Sequence, residues 1–144
     1  MKKWNPILVF VIFITLNALQ AQNEDIKAIH QILDEQAIAW SNNDLEGFMQ
    51  GYWKSDDLTY FSGGKITKGW QTTLDNYKKG FPTKAHSGKL DFKIAEITKV
   101  SDDIYYVMGE YYLTREVGNS NGSFMIIFKR MNNGEWKIIA DSSC

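Results

Sequence analysis

Ala37-Ile38-Ala39-Trp40-Ser41-Asn42-Asn43-Asp44-Leu45-Glu46-Gly47-Phe48-Met49-Gln50-Gly51-Tyr52-Trp53, followed at once by Asp56-Asp57-Leu58-Thr59-Tyr60-Phe61, is the stretch on which the fold turns. It reads as the end of one helix, a polar break, a short second helix and the entry into a strand. Asn43 or Asp44 can cap the second helix, because a short side-chain oxygen accepts from its free first-turn N–H groups. That helix, about Leu45 to Tyr52, carries Leu45, Phe48, Met49 and Tyr52 on one side. Gly47 and Gly51 weaken it intrinsically, so close packing against a neighbour has to sustain it.

Towards the N-terminus, Ile26, Ile29, Leu33, Ala37 and Trp40 recur every three or four residues among Glu24, Lys27, Asp34 and Glu35, the pattern of an amphipathic helix. His30 lies just off that stripe. Towards the C-terminus, Leu58 to Phe61 is a strand and Ser62-Gly63-Gly64-Lys65 a tight turn back through Ile66-Thr67. Gly69-Trp70 opens a third helix with Trp70, Leu74 and Tyr77 on one face and Gly80 as its stop. Phe81-Pro82 begins a loop carrying His86 and Gly88. Leu90, Phe92 and Ile94 then alternate with polar residues, as a strand with one buried face requires. Further strands are expected over Ile104 to Val117, Ser123 to Arg130 and Trp136 to Ser142, with Asn133-Gly134 as a hairpin turn. Helices first and long antiparallel strands after them make an α+β domain.

At 144 residues and 44% hydrophobic, the chain holds enough apolar material for one core. Lys2 and Lys3, the apolar run Ile7 to Leu16 and the small residues of Ala18-Leu19-Gln20-Ala21 have the layout of a secretory signal peptide over residues 1–21. The run is short for a bilayer span, so the expected product is an exported domain, 22–144, periplasmic or secreted and without a membrane partner. Loss of Lys2 and Lys3 takes the formal charge from −1 to −3. A mildly acidic domain without a Lys/Arg cluster argues against nucleic acid as a partner. The single cysteine, Cys144, cannot form an internal disulfide.

From about Glu24 to Ser143 the chain resembles the NTF2-like superfamily, and within it the DUF4440 and SnoaL-like branch. The residues that carry the resemblance are Ala39-Trp40-Ser41-Asn42-Asn43-Asp44-Leu45, the step from Tyr52-Trp53 to Asp57, Gly69-Trp70, and the terminal Gly134-Glu135-Trp136-Lys137-Ile138-Ile139-Ala140-Asp141-Ser142-Ser143. The resemblance implies a cone-shaped fold, a curved antiparallel sheet packed on three N-terminal helices, with an apolar pocket between them. By alternation Phe124, Ile126, Phe128, Trp136, Ile138, Ala140 and Ser142 face that pocket, and Tyr52, Tyr60, Trp70 and Tyr77 reach it from the helix side. Large apolar residues also simply fill cores. The opposite sheet face, with Met125, Ile127 and Ile139, is too apolar for free solvent, and in the family such a face often packs on a second copy, which implies a homodimer.

Ketosteroid isomerisation on this fold uses a carboxylate base, a Tyr and a protonated Asp. Aligned on Asp44-Leu45 and the terminal hairpin, the Tyr position falls at Gln36, the base near Ser62 and the second Asp near Ile126, so the set is not retained. The DUF4440-like pattern ends with a His where this chain has Ser142, whose hydroxyl cannot act as a base near neutral pH. The polar candidates for catalysis are His86, Tyr60 and Ser142; Asp57, Glu110, Arg115 and Asp141 are further titratable groups, with Asp141 alternating away from the pocket if Ser142 points in. Two histidines 56 residues apart and one cysteine form no metal motif, and no phosphate loop or nucleophile elbow is present, so neither metal nor cofactor is expected. Three readings follow. One is a pocket for a small apolar molecule, one a SnoaL-like acid/base enzyme of isomerase, cyclase or dehydratase type on a small carbonyl compound, and one a dimeric assembly module with a self-filled pocket.

Overall fold

The structure, a computed structural model, describes residues 6–144, with side chains from residue 19 onward. The elements in chain order are α1 (Pro6–Ser41), α2 (Leu45–Met49), β1 (Thr59–Ser62), β2 (Lys65–Lys68), α3 (Trp70–Gly80), α4 (Lys84–Ser87), β3 (Lys89–Ser101), β4 (Ile104–Thr114), β5 (Ser120–Arg130) and β6 (Trp136–Ser143). Lys2 and Lys3 of the expected leader lie outside the described residues, and α1 runs helically through Ala21. Among the described residues no helix is long and apolar enough to cross a membrane.

The break at Ser41 to Asp44 forms as the polar residues dictate. Asn43 takes a positive φ of 59°, a conformation Asn tolerates better than most residues. Asp44 is the cap, accepting the Gly47 N–H at 2.8 Å. Gly51 is needed for closeness, since a Cβ there would lie 2.7 Å from the Gln36 amide nitrogen. Ile29, Leu33 and Trp40 of α1 are buried, together with Leu45, Phe48 and Met49 of α2.

All six strands form one sheet in the order β2-β1-β6-β5-β4-β3. It is mixed rather than wholly antiparallel, because β1 runs parallel to β6, with Thr59, Tyr60 and Phe61 opposite Ala140, Asp141 and Ser142. Strand pairing across 81 positions leaves no local mark in the chain. Register shifts in β3 between Ile94 and Glu96 and between Lys99 and Ser101 bend that strand, as bulges do. The helices cover the concave face, where Tyr105, Val107, Phe128 and Ile138 complete the core with α1 and α2. The expected loop after Pro82 contains the short helix α4, and the Ser87 carbonyl of that helix accepts the Trp40 indole N–H at 2.9 Å.

The most consequential irregularity lies in β6. Phe128 opposes Ile138 and Ile127 opposes Ala140, so Ile139 is an extra residue without a partner on β5. One inserted residue reverses the alternation of everything after it. Trp136 and Ile138 point inward as expected. Beyond the bulge, Asp141 is buried and Ser142 exposed, the reverse of the simple alternation.

Candidate functional site

Between sheet and helices lies a cavity of about 260 Å³. Its walls are apolar and largely aromatic. Trp40 packs edge-on to Phe48 and Phe81 with ring centroids 4.9 and 4.6 Å apart, and Phe92 meets Phe124 at 5.4 Å. Edge-to-face packing satisfies the ring quadrupoles and fixes the wall's shape.

One end is polar, and the bulge makes it so. Asp141 is 6% exposed and sits in a cross-strand row between Tyr60 of β1 and Ile126 of β5. The Tyr52 hydroxyl donates to Asp141 Oδ2 at 2.6 Å and the Ser143 hydroxyl to Oδ1 at 2.5 Å. Tyr52 is held there by the segment after α2, which lies along β6: the Trp53 N–H donates to the Ile138 carbonyl and the Ile138 N–H to that of Gly51, each at 2.9 Å. Burial pushes the Asp141 carboxyl up to about 6, and the hydrogen bonds from Ser143 and Tyr52 restrain that rise. Burial, and next the charge of Asp141, hold Tyr52 well above the usual phenol range and raise Tyr60 as well. Tyr77 is raised well above it by burial first and then by Tyr60. The three phenols are therefore proton donors near neutral pH. Asp141 titrates close to neutrality, where a carboxyl can both take and return a proton.

The expected pocket residues divide. Tyr52, Tyr60, Tyr77, Phe124 and Ile126 line the cavity. Trp70 does not: it is buried beside α2, its indole N–H donating to the Met49 carbonyl at 2.8 Å, with Lys54 Nζ 5.0 Å from the ring. Trp136 faces inward below the cavity, against Tyr105 at 5.3 Å and under the Arg130 guanidinium at 4.8 Å. Ser142 is on the outer face, turned there by the Ile139 bulge, and Asp141 and Ser143 take the inward places. His86 stands on α4 outside the cavity wall, its Nδ1 2.8 Å from the Thr83 hydroxyl. Gln36, Ser62 and Ile126, aligned with the isomerase groups, do line the cavity. The acid comes from a different strand. The signal that could have located it is the pair Ile138-Ile139, two consecutive large apolar residues that break the alternation just before Ala140-Asp141.

Among the described residues, no three of His, Cys, Asp and Glu converge on a metal-sized site. No family model matches the chain, and neither does any curated protein. Solved structures do. An NTF2-like protein of unknown function from Shewanella oneidensis is 36% identical, with 83% of this chain and 98% of that one aligned at a TM-score of 0.79. The chain belongs to the NTF2-like family. More distant NTF2-like folds share the architecture. A ketosteroid isomerase-like protein from Erwinia carotovora is 17% identical, covering 84% of this chain and 95% of its own at a TM-score of 0.65. An NTF2-like superfamily protein from Salmonella enterica is 12% identical, covering 88% and 92% at a TM-score of 0.65. Within this NTF2-like domain, the helices and curved sheet of the expected α+β cone are present, with a mixed sheet.

Proposed function

We propose that this NTF2-like domain, of the DUF4440 and SnoaL-like branch, binds a small, largely apolar molecule whose polar group rests against Asp141 and Tyr60, with no cofactor. The observation that carries this reading is an aromatic cavity with a single buried carboxyl flanked by hydroxyl donors. Such concave apolar sites with a few convergent polar groups are the usual form of small-molecule pockets. A volume of about 260 Å³ left open stands against a self-filled assembly module. Native mass spectrometry of protein purified without added ligand tests it. The expected result is a mass excess that disappears on denaturation. Apo protein that also leaves hydrophobic probes such as anilinonaphthalene sulfonate unbound would overturn it.

The working form is an exported homodimer, paired through the outer sheet face. The leader-like N-terminus supports export. Met125, 43% exposed, Ile127 and Ile139 support pairing, and the same face continues through Phe61 and Ile66, 44% and 66% exposed. Met125→Arg is expected to shift the protein to monomer in sedimentation; a wild-type protein that is monomeric at high concentration ends the idea.

A second reading has its own support: a SnoaL-like acid/base enzyme acting on a small carbonyl compound. Asp141 is buried, has no cationic partner among the described residues and is raised by burial to about 6, the setting of a carboxyl that relays protons. One structural neighbour is named for ketosteroid isomerase-like character. In this reading Asp141, rather than His86 or Ser142, carries the proton and Tyr60 steadies the oxygen. Asp141→Asn is then expected to abolish turnover while ligand binding persists, and His86→Ala to leave turnover intact.

A further inference from the structure

The cavity wall contains one basic side chain, Arg115, and one acidic one, Asp141, among the described residues. They mark its two ends. Leu113, two residues before Arg115, pairs with Ser120, and Asp141 pairs with Ile126, six residues further along β5, roughly 20 Å at a strand's ~3.3 Å rise per residue.

Arg115 is held in place by the turn it begins. Its backbone N–H donates to Asn119 Oδ1 at 3.0 Å and its Nε to the Gly118 carbonyl at 2.6 Å. Its stem crosses Gly88, where a Cβ would stand 2.7 Å from Arg115 Cγ and 2.1 Å from the Thr114 carbonyl oxygen, and where φ is +64°. Only glycine satisfies both demands. With Nε committed to the backbone, the two terminal amino groups remain, and none of the ion pairs among the described residues uses them. A pre-set guanidinium edge of two nitrogens matches the two oxygens of a carboxylate. A phosphate, with about twice the charge, would call for further cations that the wall does not offer.

We infer that the ligand is a small organic acid, its carboxylate held by Arg115 at one end of the cavity and its apolar body running between the aromatic walls to the polar group that meets Asp141 and Tyr60 at the other. This deepens the proposed function and rests on that cavity being a ligand site. It also separates the two charged ends: the ligand's anion is kept away from the acid at the far end. The chain's overall charge of −1 gives no long-range attraction for an anion, so any preference for the acid form has to come from Arg115.

The test compares 6-phenylhexanoate with 6-phenylhexanamide, which differ only at the head group, by calorimetry at pH 7.5. The Trp40 indole N–H resonance in the cavity wall is followed alongside. Wild-type protein is expected to bind the acid about tenfold more tightly than the amide, as a charge-assisted pair replaces a neutral contact. Arg115→Gln should bring the acid down to the amide's affinity and leave the amide unchanged, and Arg115→Lys should keep part of the preference. Equal affinities in the wild-type protein, or a preference that survives Arg115→Gln, overturns the inference. If the Trp40 signal still moves in those cases, the cavity remains a ligand site and only the acid specificity falls. Binding of neither compound, with the Trp40 signal unmoved, overturns both.

Discussion

Asp25 and Asp141 are both removed from water, 9% and 6% exposed, yet the chain surrounds them in opposite ways. Asp25 lies near the start of the packed part of α1 and meets a cation: Arg130 Nη2, at the end of β5, is 2.5 Å from its Oδ1. The guanidinium also stacks over Trp136 at 4.8 Å. Among the described residues Asp141 meets hydroxyls alone, from Tyr52 and Ser143. The first carboxylate is neutralised and spent on holding a helix to the sheet. The second is left with a cost for being charged, beside open space. A buried acid without a counter-charge is a poor stabiliser, and this is what makes Asp141 the better candidate for function.

Removing the Asp25 anchor has the largest expected effect. Asp25→Ala strands the Arg130 charge at a partly buried site, and breaking such pairs costs about 3 kcal/mol, the low end of the buried range because the Arg130 side chain is 38% exposed. Urea unfolding measures it. A loss below about 1 kcal/mol would class the pair with surface ion pairs and remove the contrast.

Asp141→Asn should have the opposite sign. Its carboxyl is raised from 3.8 to about 6 in the folded protein, so the folded state holds the proton where the unfolded chain has lost it. The stabilisation is full below about 3.8 and is lost as pH rises through about 6; over that window it amounts to on the order of 3 kcal/mol. At pH 7.5 the neutral amide avoids the charged form's cost, and a gain of about 2 kcal/mol is expected after some loss of hydrogen-bond quality. Unfolding followed from pH 4 to 7 should also lose most of its pH slope across that window. A variant less stable than wild type at pH 7.5 would mean that Asp141 is a structural acid like Asp25.

The sequence made some of this contrast legible and hid the rest. The polar break at Asn42 to Asp44, the spacing of Ile29, Leu33 and Trp40, and the Asn133-Gly134 turn are local signals with local causes, and the elements stand where those residues put them. The cavity's aromatic walls followed from alternation on β5, which is regular. Asp141 did not, because the Ile139 bulge depends on pairing with β5 on one side and with the Gly51–Trp53 segment and β1 on the other. The parallel partner of β6 is equally non-local. Alternation points Trp136 at the pocket and the helix side offers it Trp70, whereas tertiary packing gives Trp70 to Met49 and Trp136 to Tyr105 and Arg130. The Asp25–Arg130 pair, 105 residues apart, has no pattern that spacing could reveal.

The smallest expected effect isolates what the hydroxyls do for Asp141. Tyr52→Phe keeps the ring that packs on Phe48 at 5.7 Å and removes one donor from the carboxylate. The stability change should be about 1 kcal/mol, the net worth of a typical hydrogen bond. The more telling readout is titration of the Asp141 carboxyl carbon by NMR. Because the Tyr52 bond favours the charged form, its loss should move the Asp141 midpoint upward from about 6, further into the range where the acid is protonated at neutral pH. A midpoint that falls instead would mean that burial is not the dominant cause. In that case water, or the ligand's own polar group, sets the charge on Asp141, and the cavity would be wetter at this end than its aromatic walls imply.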